Sequence, residues 1–221
     1  YKTIIYGETE SAMEKIIALD FGGQYSQLIA RRVREFGVYC ELLPNFTDID
    51  NLTDESVKGI IFTGGPSSVY ADNAPVCDKR IFDLNVPILG ICYGHQLMAQ
   101  LYGGTVGGGN IPEFGGVSMH VDSSKTLFDG VDEKSTIWMN HNDSVTELPE
   151  GFSRIAQTDN CPCAAMENET LNRYGIQFHP EVRHSVFGNL ILKNFVMKIC
   201  GCKGDWSMAN LEEEQIKFVR E

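Results

Sequence analysis

Residues 86–102 read VPILGICYGHQLMAQLY, and the reading of this stretch decides the fold. Val86 to Ile91 is a continuous apolar run bounded by Gly and Pro, the pattern of a strand covered on both faces in a parallel sheet. The run stops at Cys92, and His95 to Tyr102 follows with helical spacing. A strand that turns at once into a helix on a Cys, with Gly90 and Gly94 two residues to either side, has the form of a nucleophile elbow. The nucleophile there stands on a sharp, strained corner, and its small neighbours leave room for chain and substrate. The helix N-terminus beyond it favours a thiolate, drawing the thiol below its free pKa of about 8.5. Position alone would favour an inert core residue, because Cys is among the most often buried types; the G-x-C-x-G setting reverses that and decides for the nucleophile.

Working outward, Ile16 to Leu19 and Gly59 to Thr63 (GIIFT) read as further buried strands, and Tyr25, Leu28, Ile29, Val33 and Phe36 fall on one helical face between them. Tyr174 to Phe178 (YGIQF) is another strand, and Phe187 to Ile199 a helix returning to the sheet. From Gly103 to Gln157 the chain is Gly-rich, with alternating segments at Val117–Val121 and Thr136–Met139 that suggest antiparallel strands or hairpins. The fold class is therefore α/β: a doubly wound, flavodoxin-like, mostly parallel sheet with appended antiparallel strands. Residues 1–13 read as an extension outside the fold, 14–203 as one domain, and 204–221 as a C-terminal linker helix whose Glu212, Glu213 and Glu214 form a solvated face.

The chain has 221 residues, 43% hydrophobic and 22% charged, which places it among globular rather than disordered chains. Its net charge of -12 argues against nucleic acid or an anionic membrane surface as the main partner. Seven cysteines, an odd number, do not make the framework of a small secreted domain. No apolar run approaches the roughly 20 residues of a membrane span, and Tyr1 to Ala12 lacks the form of a signal peptide. A cytoplasmic location is the expectation.

A thiolate nucleophile needs an imidazole oriented by a third group, and Gln177-Phe178-His179-Pro180-Glu181 supplies both at the end of a predicted strand. His179 and Glu181 alternate, and Pro180 stiffens the turn between them. Thr63-Gly64-Gly65-Pro66-Ser67-Ser68 follows another predicted strand, so it should reach the same sheet edge. Read as chemistry rather than as a plain turn, it offers the Gly65 amide, with that of Tyr93, as an oxyanion hole.

GICYGHQ (90–96), TGGPSS (63–68) and FHPEV (178–182) together resemble the class I (triad-type) glutamine amidotransferases. LDFGGQYSQLIARRVREFGVYCE (19–41), WMNHNDSVTELPEGF (138–152), TDNCPCAAMEN (158–168) and ICGCKGDW (199–206) are similar to the GMP synthetase branch of that family, so the likeness spans roughly residues 15–220. The resemblance implies L-glutamine as substrate, Cys92, His179 and Glu181 as catalytic triad, and glutamine contacts at Gln96, Asn140, Asn142 and Asp143. It implies no cofactor in this domain. The released ammonia would aminate XMP to GMP on an ATP-pyrophosphatase (synthetase) domain using ATP and Mg2+. That domain's S-G-G-x-D-S loop is not found before Glu221, which leaves open a domain of a longer enzyme or a free-standing subunit. The family's commoner S-H-G-D is Asn140-His141-Asn142-Asp143 here, and a non-glycine residue at 142 predicts an unusual φ. His95 stands where Met is common, and Glu113-Phe114-Gly115-Gly116 where E-Y-G-R is.

Cys161-x-Cys163 and Cys200-x-Cys202 could make a four-thiolate site, but zinc pairs usually have at least two intervening residues, so no metal is expected. His141 could imitate the catalytic base; its segment reads better as a structural or interdomain contact. His120 and His184 read as surface or packing residues. Asp20-Phe21-Gly22-Gly23 lacks G-x-G-x-x-G spacing, which argues against a nucleotide. A glutaminase of another amidotransferase, a γ-glutamyl hydrolase on the same fold and a non-enzymatic flavodoxin-like module are the competing functions.

Overall fold

Successive residues of Lys15–Asp20 (β1) pack to opposite sides, as strand pleating requires: Ile16 and Ala18 join one apolar cluster, Ile17 and Leu19 another. The computed structural model describes residues 13–123 and 126–207, without the side chains of residues 109 and 110. Most of the expected 1–13 extension, and the expected C-terminal helix from residue 208 onward, lie outside the described residues.

Eight more strands join β1 among the described residues: β2 (Tyr39–Pro44), β3 (Val57–Phe62), β4 (Ile88–Ile91), β5 (Thr105–Val121), β6 (Lys134–Glu147), β7 (Ser153–Gln157), β8 (Ala165–Asn168) and β9 (Arg173–Ile176). They form one sheet in the order β2-β1-β3-β4-β9-β8-β7-β5-β6. The pairings from β2 to β9 are parallel, and those from β9 to β6 antiparallel. A doubly wound sheet with appended antiparallel strands is thus what the sequence expectation described. Helices α1 (Ser26–Glu35) and α3 (Gly188–Lys193) cover one face through Ile29, Ala30, Val33, Ile191 and Leu192; α2 (Tyr93–Leu101) covers the other through Leu97 and Met98. α3 continues as a wider π-type turn over Asn194–Ile199, so the expected single helix is two segments. No helix among the described residues is long and apolar enough to cross a membrane.

Four parallel strands end on the same edge, and the turns after them carry Phe21-Gly22-Gly23, Thr63-Gly64-Gly65, Cys92 and Gln177 to His179. Open α/β sheets bind ligands at this carboxyl edge. The first two turns abut so closely that a Cβ on Gly23 would lie 2.4 Å from the Gly64 carbonyl oxygen.

Candidate active site

Cys92 is the hinge between β4 and α2, with φ 52° and ψ -104°. A side chain rarely adopts positive φ, and holding it there costs about 1–3 kcal/mol, a cost met by the surrounding fold. The Cys92 amide donates to the Ile176 carbonyl (2.8 Å), and the Gly94 amide to that of Thr63 (3.2 Å), which lock the corner between β9 and β3. Neither neighbouring glycine tolerates a side chain: a Cβ on Gly90 would meet the Gly94 carbonyl oxygen at 2.5 Å, and one on Gly94 would meet Phe62 at the same distance.

His179 hangs from the turn after β9, its amide donating to the Trp138 carbonyl at 3.0 Å. Ser185 ties the same corner, donating to the His179 carbonyl (2.6 Å) and accepting from the Trp138 amide (3.0 Å). The His179 Nδ1 lies 2.8 Å from Glu181 Oε1, and both side chains are buried. A carboxylate only accepts, so Nδ1 carries the proton and Nε2 is left for the sulfur. Burial opposes charge on His179, but hydrogen bonds to Cys92 and Glu181 outweigh it and raise the pKa to about 10. Those partners favour the protonated ring. Tyr25 packs its edge on that ring at 5.2 Å.

Two cavities meet at Cys92. One, of about 140 Å³, is lined by Gln24, Tyr25, Gly64, His179 and Glu181. The other, of about 180 Å³, is lined by Ser68, Tyr93, Gln96, Asn142 and Asp143, and Gly65, Pro66, Cys92 and Asn140 belong to both. All nine residues singled out in the sequence as catalytic, oxyanion or substrate contacts therefore face these two spaces. Asp143 is held by hydroxyls, accepting from Tyr70 (2.7 Å) and from Ser68. Gln96 Nε2 donates to the Asp143 carbonyl (2.6 Å) and to Gln177 Oε1 (3.0 Å), so its own carbonyl oxygen is left for a ligand.

One residue of this chain was not singled out. Gln177, fully buried, donates from Nε2 to Cys92 Sγ at 3.7 Å and so links Gln96 to the nucleophile. Its place two residues before His179, just past a predicted strand, was the available signal.

The unusual φ expected of Asn142 is not found: among the described non-glycine residues only Cys92 and Asn172 have positive φ. The reason is that residue 142 continues β6, where extended backbone suits any side chain. His141 is no substitute base. Its Nδ1 lies 2.9 Å from the Asp143 carbonyl and its Nε2 3.3 Å from Glu113 Oε2. His184 stacks on Trp138 at 4.5 Å, while His120 is half-exposed beside Glu133. None of the seven cysteines is bridged, and burial pushes Cys161 up to about 12 and Cys163 higher still.

The glutamine amidotransferase class-I family profile matches residues 17–199. GMP synthase [glutamine-hydrolyzing] of Clostridium perfringens is 54% identical over 205 residues, covering 93% of this chain and 40% of that protein. Its namesake from Acetivibrio thermocellus is 55% identical over 208 residues, covering 94% and 41%. The chain thus spans about two fifths of the length of these relatives. A crystal structure from Thermoplasma acidophilum, described as that of a GMP synthase subunit, superposes with TM-score 0.78 at 35% identity, covering 92% of this chain and 98% of that one. A glutamine amidotransferase from Thermotoga maritima shares the fold at TM-score 0.69 and 17% identity, over 86% and 99% of the two chains.

Proposed function

The chain belongs to the class I glutamine amidotransferases, and from that premise we propose that it is the glutamine-hydrolysing part of a GMP synthase. Cys92 attacks the side-chain amide carbonyl of L-glutamine, and the amides of Gly65 and Tyr93 hold the developing oxyanion. The His179 imidazolium gives its proton to the departing nitrogen, which leaves as ammonia and a γ-glutamyl thioester on sulfur. Now neutral, His179 takes a proton from water as it attacks that thioester, and returns it to the sulfur side as glutamate leaves. Glu181 fixes the ring so that Nε2 faces sulfur throughout. Gln96, Asn140, Asn142 and Asp143 seat the amino-acid end of the substrate.

The observation that carries this reading is that Cys92 lines one cavity together with the His179–Glu181 pair and opens as well on the second, walled by Gln96 and Asp143. No cofactor takes part in this half of the reaction. The ammonia passes to a synthetase domain, in the same chain or a separate one, which uses ATP and Mg2+ to aminate XMP. Relatives of both lengths favour neither arrangement. The reaction takes place in the cytoplasm.

Replacing Cys92 by Ala should abolish glutamate release from glutamine while leaving the far-ultraviolet circular dichroism unchanged. A variant that still hydrolyses glutamine at the parent rate would remove the triad. Turnover of γ-glutamyl peptides in preference to free glutamine would reassign the site to a γ-glutamyl hydrolase.

A further inference from the structure

We propose that Glu113, His141 and Cys161 form a binding site for a divalent ion of the zinc class, set in the wall behind the glutamine cavity. All three residues are buried, and one ligand atom from each lies within 4.8 Å of the other two. Glu113 and His141 are direct cross-strand partners on β5 and β6. Cys161 reaches them from the turn between β7 and β8, where its amide donates to Thr158 Oγ1 (2.9 Å) and its carbonyl accepts from the Thr158 amide (3.0 Å).

The His141 ring decides the argument. Its Nδ1 faces the Asp143 carbonyl at 2.9 Å, and a carbonyl can only accept, so Nδ1 carries the hydrogen. Nε2 then faces Glu113 Oε2 at 3.3 Å, an approach that needs either a shared proton or a metal ion between the two atoms. The other carboxylate oxygen is already occupied, accepting from Thr158 Oγ1 at 2.7 Å. No Lys or Arg pairs with Glu113 among the described residues.

A zinc ion fits what is present. Bonds of about 2.0–2.2 Å to nitrogen and oxygen at the tetrahedral angle place those two atoms about 3.4 Å apart, close to the 3.3 Å found. Sulfur must move in by at most about 1 Å to reach its own bond length. The Nδ1 hydrogen bond to a backbone carbonyl is the usual outer support of a metal-bound imidazole. Of the three, His141 lines the cavity that also holds Gln96 and Asp143, so an ion would enter from that side and a water would take the fourth position there. With ligands on β5, β6 and the 158–161 turn, the ion would clamp the Asn140–Asp143 segment from behind. The three ligands lie 28 and 20 residues apart in sequence, so no local spacing announces them.

Zn2+ and Co2+ titrated into the metal-stripped chain carrying Cys92→Ser test this, since that substitution removes the competing thiol of the triad. The expected result is one equivalent of zinc per chain, and with cobalt an intense near-ultraviolet thiolate-to-metal band with tetrahedral visible absorption. Both should be lost on adding Cys161→Ser, which keeps the size of the side chain, or Glu113→Gln, with circular dichroism verifying that each variant is folded. Absence of the band, or its survival in Cys161→Ser, would overturn the proposal and leave a proton as the cation between His141 and Glu113. The readout is spectroscopic, so it stands whatever becomes of the glutaminase reading.

Discussion

Cys92, His179 and Glu181 on one side, and Cys161, His141 and Glu113 on the other, are the same three residue types assembled twice in one molecule. In the first set the imidazole stands in the middle, one nitrogen on the carboxylate and the other turned to sulfur. In the second, Nδ1 is taken by a backbone carbonyl, and acid and thiol gather on the remaining side of the ring. The consequences for charge are opposite. Burial acts on both rings, but hydrogen bonds to Cys92 and Glu181 lift His179 to about 10, whereas burial holds His141 below its ordinary range despite Glu113. A series passes a proton along; a convergence collects a cation. Residue type therefore does not assign the chemistry here, and the order of contacts does.

Glu181→Gln breaks the series at its far end and should have the largest effect. An amide at that position can donate to Nδ1 and reverse the tautomer, so kcat for glutamine should fall on the order of 10²–10⁴-fold. Glu181 is among the groups that raise His179, so the alkaline limb of kcat/KM for glutamine, where the general acid loses its proton, should also move to lower pH in this variant. A near-parental kcat would mean that His179 works without its third member, and the distinction between the two sets would lose its basis.

Gln177→Leu touches the series from the side. It removes the donor 3.7 Å from Cys92 Sγ and leaves one hydrogen of Gln96 Nε2 without its acceptor. A hydrogen bond to a charged partner is worth about 1.5–3 kcal/mol, so kcat/KM should drop on the order of 10- to 150-fold. The split matters: a lower kcat with slower alkylation places Gln177 as a positioning residue of the nucleophile, and a change in KM alone would move its effect to the substrate cavity.

The parts of this architecture that could be read from sequence share a physical cause. Ile88–Ile91, Val57–Phe62 and Lys15–Asp20 are parallel strands buried on both faces, so burial wrote continuous apolar runs into them. The elbow was legible because a strained corner against Phe62 and Gly94 admits only glycine at 90 and 94. β2 went unseen because Tyr39–Pro44 lies at the sheet edge and mixes Glu and Pro with its apolar residues; β8 went unseen because its four residues, AMEN, are too few to show a period. Of the site, the residues just beyond a strand end, such as Cys92, Gly65 and His179, were legible, since each sits inside its own local motif. Glu113 paired with His141, and Gln177 paired with Gln96, depend on register and on crossings between distant strands, which one chain read linearly does not display.

His95 is a third buried histidine, in the helix beside the nucleophile, and it sharpens the comparison by the smallest margin. Neither of its ring nitrogens makes a full hydrogen bond, and the ring packs so close to Gly175 that a Cβ there would lie 2.3 Å from Nδ1. Burial, reinforced by the neighbouring His141 and only partly offset by Cys163, lowers its pKa to about 3. In the unfolded chain the ring takes a proton once the pH falls below about 6.5, while the folded chain refuses it until about 3. Stability contributed by the neutral ring is therefore complete above pH 6.5 and is lost as the pH falls towards 3. At about pH 4.5 that amounts to roughly 2–3 kcal/mol. His95→Met removes the titration and keeps the apolar volume. Urea midpoints of parent and variant should coincide at neutral pH within the cost of repacking, and separate in favour of the variant between about pH 6 and 4. Parallel midpoints across that range would mean that His95 takes a proton in the fold, and that burial at the elbow is less severe than the packing of Gly175 requires.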